Sequence, residues 1–248
     1  ELEYLYANAG AAAAVVEEEF LSRVTSLQAK PDVIIAVGDT NKDFERALQM
    51  GAGLPRPERT PKSDDQLIIY TGGTIGMPKG VVWGHRDMLM ASLGGGGFFS
   101  RQGPIRAPAE IVDRVRESPP LVTFPVAPLM HGAALWAALS SLFAGHTIVL
   151  QSGRGFDACA VLDLCVAERV NILVIVGDGM GRPLADALAA HPGRWRLDTL
   201  VHLGSGGAVF SQAVQQSLRS SLPRHTTTSS LGTTESGTLG AGATDGDG

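Results

Sequence analysis

Residues 157–176 read DACAVLDLCVAERVNILVIV. In the first half, Val161, Leu164 and Cys165 recur at helical spacing behind Phe156-Asp157, which supplies an N-terminal cap. In the second half, Ile172–Val176 is an unbroken aliphatic run, the signature of a strand buried on both faces. A covering helix that feeds such a strand is the repeating unit of a layered α/β protein. Working outward, Val33–Val37 is a second run of the same kind. Strands are expected at Ala13–Val16, Asp32–Val37, Gln66–Thr71, Leu121–Val126, Thr147–Leu150, Ile172–Val176, Thr199–Leu203 and His225–Ser230. Helices are expected at Glu1–Asn8, Glu19–Leu27, Asn41–Met50, His85–Leu93, Ala133–Phe143, Asp157–Arg169, Arg182–Ala190 and Gln212–Leu222, the last capped by Ser211. The expected fold class is α/β, a layered sandwich of mostly parallel sheets.

Two stretches break this rhythm. Gly51–Asp65 carries three prolines and mixed charge and reads as a linker; Arg101–Pro120 reads as a polar insertion. The four glycines Gly94–Gly97 mark a helix end and a turn. The expected division is a first α/β subdomain at residues 1–62 and a second at 63–248. The chain opens inside a helical pattern without a methionine and ends in a glycine-rich tail after Ser236. That tail is expected to be a loop, and the chain a piece of something longer.

Of the 248 residues, 44% are hydrophobic and 18% charged, with a formal net charge of −5. Without a basic surplus, a nucleic-acid partner is not expected. No apolar run approaches the roughly 20 residues of a membrane span, and the reading is cytoplasmic. Cys159 and Cys165 match neither a redox nor a zinc spacing, and on a helical pattern they read as buried thiols. Assembly into a homo-oligomer stays open.

The chemistry begins at Tyr70–Gly80, YTGGTIGMPKG, which holds four glycines, two threonines and one lysine directly behind the run Leu67-Ile68-Ile69. Small residues at a strand end leave several backbone N–H groups free to converge on an anion. Thr71 and Thr74 add hydroxyl donors, and Lys79 adds a mobile cation. This is not the NTPase P-loop, which needs Ser or Thr directly after Gly-Lys. Here Pro78 removes a donor and Gly80 follows the lysine. The glycine spacing of a dinucleotide fingerprint fails as well.

Thr71–Gly80 resembles the phosphate-loop signature of the adenylate-forming superfamily, which includes acyl-CoA synthetases, firefly-type luciferases and peptide-synthetase adenylation domains. Three further stretches resemble its other motifs, in family order. Ala127-Pro128-Leu129-Met130-His131-Gly132 is similar to the Pro-x-x-His segment that lines the carboxylate pocket. Val201–Ala208 is similar to the strand and glycine turn lying against adenine. Ser230–Glu235 is similar to the aromatic-Gly-x-Thr-Glu motif. Within the superfamily the wording is most like bacterial fatty-acyl-CoA synthetases.

The resemblance implies a two-step reaction: a carboxylic acid is adenylated by ATP with Mg2+, and the acyl group then passes to CoA. It implies catalytic roles for Lys79, His131, Thr234 and Glu235, with Glu235 holding the metal. Nucleotide binding falls to Thr71, Gly72, Gly73, Thr74, Gly76 and Lys79, to Ser205, Gly206, Gly207 and Ala208, and to Leu231, Gly232, Thr233 and Thr234. The acid falls to His131, Gly132 and Trp136. For Trp136, which shares an apolar helix face with Leu135, Leu139 and Phe143, core packing and tunnel lining both stay open. Asp178 reads as a helix-entry residue. Ile75 stands where the family carries a second threonine, and Leu231 replaces the usual aromatic. The family's ribose motif and small C-terminal domain are not expected within these 248 residues. Two alternatives stay open: another adenylating ligase, such as an aryl-CoA synthetase or adenylation domain, and an inactive nucleotide-binding module.

Overall fold

A computed structural model describes residues 1–56, 58–72, 76–97, 102–153, 155–222 and 225–243. They form two compact units, Glu1–Trp83 and Gly84–Gly248. The Gly51–Asp65 stretch, expected to separate two subdomains at 62/63, therefore lies inside the first unit.

In the first unit, helix α1 (Leu2–Ala9) stops at Gly10, whose left-handed backbone (φ 59°) turns its own N–H onto the Ala7 carbonyl and the N–H of Ala11 onto the Tyr6 carbonyl. Strands β1 (Ala13–Glu17) and β2 (Val33–Val37) pair in parallel, Ala13 opposite Val33 through Glu17 opposite Val37. A short 3-10 turn (Glu18–Phe20) and α2 (Leu21–Thr25) lie between them, and α3 (Asp43–Gly51) follows. β3 (Gln66–Thr71) occupies the expected residues and pairs with β4 (Lys79–Gly84), which was not expected. Lys79 is thus the first residue of a strand rather than part of a free loop.

The second unit opens with α4 (His85–Ser92) and α5 (Glu110–Glu117). α5 sits inside the stretch read as a polar insertion; its Arg114 donates to the carbonyls of Gly103 and Pro104, which folds the insertion onto the helix. The rest alternates: β5 (Val122–Pro125), α6 (Gly132–Phe143), β6 (Thr147–Ile148), α7 (Ala158–Ala167), β7 (Ile172–Ile175), α8 (Gly177–Ala190), β8 (His202–Gly206), α9 (Gln212–Ser221), β9 (Thr226–Thr233) and β10 (Gly237–Ala243). The sheet order is β10-β9-β8-β7-β5-β6. β6, β5, β7, β8 and β9 are parallel, and β10 alone is antiparallel. Both expected caps form: Asp157 accepts from Ala160 N–H and Ser211 from Val214 N–H.

Alternation along β7 buries Leu173 and Ile175 on the face covered by α7, α8 and α9. There they join Phe124, Val161, Leu162, Leu184, Leu203 and Leu218 in one continuous core. The connection through α6 runs from β5 outward to β6, opposite in direction to the α7, α8 and α9 connections. Right-handed crossovers therefore place α6 on the other face of the sheet.

Of the expected boundaries that move, three show what moves them. β8 begins at His202, three residues later than expected, because Thr199 and Leu200 are spent on a turn: Leu200 N–H bonds to Leu197 carbonyl and the Thr199 hydroxyl to Val170 carbonyl. α8 begins a turn before Arg182-Pro183, which mimics a helix start but lies within the helix. The tail read as a loop forms β10, from Gly237 to Ala243. Among the described residues, no helix is long and apolar enough to cross a membrane.

Candidate active site

The chain leaves β5 toward β6 and leaves β7 toward β8, on opposite sides of one strand junction. In an open parallel sheet the loops at such a junction diverge and leave a crevice beyond the carboxyl ends of the strands. In the second unit, each stretch singled out from the sequence reaches such an end: His131 after β5, Asp178 after β7, Gly207-Ala208 after β8 and Thr234-Glu235 after β9.

The β5 loop reaches α6 through His131, the N-cap, whose backbone is extended (φ −94°, ψ 135°) and whose side chain caps no N–H. The first-turn amides of a twelve-residue helix are then left for an anion, on the positive end of its dipole. Helix α6 begins at Gly132, which is buried. A Cβ there would stand 3.3 Å from both Thr234 Oγ1 and Trp136 Nε1. Bare glycine thus lets the Thr234 hydroxyl and the Trp136 indole edge approach the start of α6. His131 is exposed, whereas Trp136 is buried.

β9 and β10 are joined by a three-residue turn, Thr234-Glu235-Ser236, with Gly237 behind it in the left-handed region (φ 66°). This is the arrangement of a three-residue hairpin loop, in which glycine takes the left-handed position. Thr233 and Ser236 close it: Thr233 N–H donates to Ser236 Oγ (3.2 Å), Ser236 N–H to Thr233 Oγ1 (3.1 Å), and the two hydroxyls lie 3.0 Å apart. The side chains of the flanking residues therefore shape the turn, and Glu235 is left exposed at its tip. Among the described residues no group of three His, Cys, Asp or Glu side chains could cage a metal. A lone exposed carboxylate fits Mg2+, which takes one or two carboxylates and completes its shell with water and phosphate oxygens.

Near the end of β8, Ser205 is buried and its hydroxyl accepts from Gly177 N–H at 2.9 Å; its carbonyl accepts from Ser230 Oγ at 3.0 Å. A Cβ on Gly206 would fall 2.6 Å from that Ser230 hydroxyl, and Gly207 has φ 82°. Both glycines are thus required by the chain's own packing and backbone. Gly207 and Ala208 are exposed, as is Leu231, at 71%. Gly232 lies where a Cβ would strike the Gly237 carbonyl across the hairpin, at 2.3 Å.

In the first unit, the glycine-rich loop connects β3 to β4. Thr71 Oγ1 lies 3.5 Å from the Lys79 carbonyl, Gly76 has φ 88°, and the Lys79 side chain is exposed. No atom lies within 4 Å of where a Cβ on Gly72 would stand. Gly73, Thr74 and the unexpected Ile75 lie outside the described residues.

Residues 1–247 match the family described as AMP-binding enzyme. The chain belongs to that family. The medium/long-chain-fatty-acid–CoA/3-oxocholest-4-en-26-oate–CoA ligase of Mycolicibacterium smegmatis is 35% identical over 96% of this AMP-binding chain and 45% of its own length. The 3-oxocholest-4-en-26-oate–CoA ligase of Rhodococcus rhodochrous is 32% identical over 98% of the chain and 46% of its own length. The chain thus spans about half the length of these relatives. Among solved structures, ATP-bound MatB from Rhodopseudomonas palustris superposes with a TM-score of 0.69 at 21% identity, over 100% of this chain and 45% of that one. The anthranilate–CoA ligase AuaEII superposes with a TM-score of 0.71 at 21% identity, over 95% and 43%. Both share the AMP-binding fold.

Ser236, Gly177 and Gly237 take part in shaping these strand tips and are missing from the sequence reading. The pair Thr233–Ser236, hydroxyls three apart around Thr-Glu, is a signal of hydroxyl turn chemistry that could have been read. Gly177 and Gly237 gave none, since their necessity comes from atoms distant in sequence.

Proposed function

We propose that the protein carrying this chain activates a carboxylic acid with ATP and transfers the acyl group to CoA, the acid being a fatty acid or a sterol side-chain acid. In the first step a carboxylate oxygen bonds to the α-phosphorus, the bond to the β-phosphate bridge breaks, and pyrophosphate leaves. In the second, the CoA sulfur bonds to the acyl carbon, AMP leaves, and the thiol proton is released. The observation that carries this reading is the approach of the Thr234 hydroxyl to the start of α6, 3.3 Å from where a Cβ on Gly132 would stand. It sets a hydroxyl beside uncapped helix amides where an anionic acyl phosphate would develop charge. The names of the relatives support the choice of acid and of CoA.

Lys79, Thr71, Gly72, Gly73, Thr74 and Gly76 take the β- and γ-phosphates in this reading. The Ser205–Ala208 and Leu231–Thr234 stretches take the adenosine end, Ser205 by its backbone because its hydroxyl is already bonded. His131, Gly132 and Trp136 face the acid. Glu235 would hold Mg2+, which neutralises phosphate charge when bound. None of these residues serves as a covalent nucleophile, so the work is positioning and charge stabilisation.

The test is pyrophosphate release and acyl-CoA formation by the natural full-length protein against a panel of carboxylic acids. Release that depends on a fatty or sterol acid is expected, and thioester only when CoA is present. Thr234→Val should lower the release rate about 100-fold, the scale of one lost donor to developing charge. ATP binding with no acid able to drive release overturns the reading.

A further inference from the structure

We propose that the Gly177-Asp178 turn after β7 is a positioning device for the loop after β8, the loop given to adenine in the reading above, on which this inference rests. Three hydrogen bonds pass from the turn to residues 205–211. Gly177 N–H donates to Ser205 Oγ (2.9 Å), Asp178 N–H donates to the Val209 carbonyl (2.8 Å), and Asp178 Oδ1 accepts from Ser211 N–H (2.8 Å). The loop is therefore gripped at both ends, before Gly206 and after Ala208. Gly177 makes the approach geometrically possible. Its backbone is left-handed (φ 55°), and a Cβ there would fall 2.5 Å from the Val209 carbonyl and 2.8 Å from Ala208 Cβ.

Asp178 stands in the first turn of α8, as a helix-entry residue does, but its carboxylate also reaches beyond its own helix. The N-cap of α8 is Val176, with no side-chain cap, and the Asp178 carboxylate reaches across to the backbone that starts α9. That Ser211 bond, with a lesser contribution from Arg182 at 4.0 Å, holds the carboxyl below its ordinary range, so the acceptor stays charged through neutral pH. Val209 is 79% exposed while Phe210 is buried. At its far end the loop is also held by the buried Gln215, whose Nε2 donates to the Phe210 carbonyl at 2.8 Å, so the Asp178 bonds are the grip nearest Ala208. Asp178 is a positioning residue: it reaches the nucleotide only through Gly206, Gly207 and Ala208.

The experiment compares wild type, Asp178→Ala and Asp178→Asn in the natural full-length protein. AMP binding is measured by calorimetry, ATP kinetics by pyrophosphate release, and amide hydrogen exchange over residues 206–211. Loss of one charge-assisted bond should weaken AMP binding about tenfold in Asp178→Ala. The KM for ATP should rise with kcat kept within about twofold, the pattern of lost uniform binding. Exchange at 206–211 should quicken. Asp178→Asn should restore all three, because its amide oxygen accepts the same N–H. If Asp178→Ala does not fold, Ser205→Ala, which removes the other grip, should show the same three changes. Wild-type exchange and AMP affinity in the alanine variants overturn the positioning role, and so does an asparagine variant as impaired as alanine. A wild-type protein that binds no nucleotide overturns the proposed function instead, and the exchange measurement still decides whether Asp178 holds the loop.

Discussion

Cys159 and Cys165 share a helix but not a chemistry. Cys165 faces the core, and burial pushes its thiol up to about 12 from an ordinary 9.0. Cys159 is only half-buried. Since the thiolate is the reactive form, a thiol reagent should modify one cysteine in the native protein and the second only on unfolding. Mass spectrometry of the labelled peptides decides it, and early modification of Cys165 would contradict its burial. The same shift carries a sign for stability. Above the ordinary value the unfolded thiol ionises while the folded one cannot, so stability is lost as pH rises from 9.0 toward about 12.

At the scale of elements, Asn171 ties four segments at the amino edge of the sheet. Its side-chain carbonyl accepts from Val122 N–H, its amide donates to the Thr199 carbonyl, and its backbone carbonyl accepts from Val201 and His202. Asn171→Ala should cost about 2 kcal/mol, the scale of stranding one buried partner. Urea unfolding is the measurement, and a loss too small to resolve would mean water replaces the side chain. The parallel strands β2 and β7 were legible because they are written in unbroken aliphatics, Val33–Val37 and Ile172–Ile175. β10 was not, and β8 was legible only in its first two residues: the glycines of both speak against a strand by propensity. β8 is glycine at residue 206, where a Cβ would strike Ser230, and β10 is held by pairing with β9. α5 was hidden for another reason, since its amphipathic eight residues sit amid prolines. The candidate site was legible through short motifs of fixed order, whereas the contacts that shape it, Asp178 to Ser211 and Thr233 to Ser236, are settled only once strands are neighbours.

For the whole molecule, acid sensitivity follows from a half-buried histidine in the second unit. Burial holds His146, 3.5 Å from the Thr123 hydroxyl, below its ordinary 6.5. Between the lowered value and 6.5 the unfolded chain binds a proton that the folded chain refuses, so stability present above 6.5 is lost as pH falls through the lowered value. The urea midpoint should drop between about pH 7.5 and about pH 5.5, spanning the ordinary histidine value, and drop less in His146→Gln. Equal slopes in the two proteins would assign the sensitivity to other groups.

The reversal at β10 has a practical side. Five strands point their carboxyl ends at the crevice, and β10 alone runs back from it. Its seven residues carry the chain about 20 Å toward the opposite edge of the sheet. A dye or affinity handle joined to the backbone at Ala243 would stand clear of the strand tips, whereas one inserted at Glu235 would occupy them.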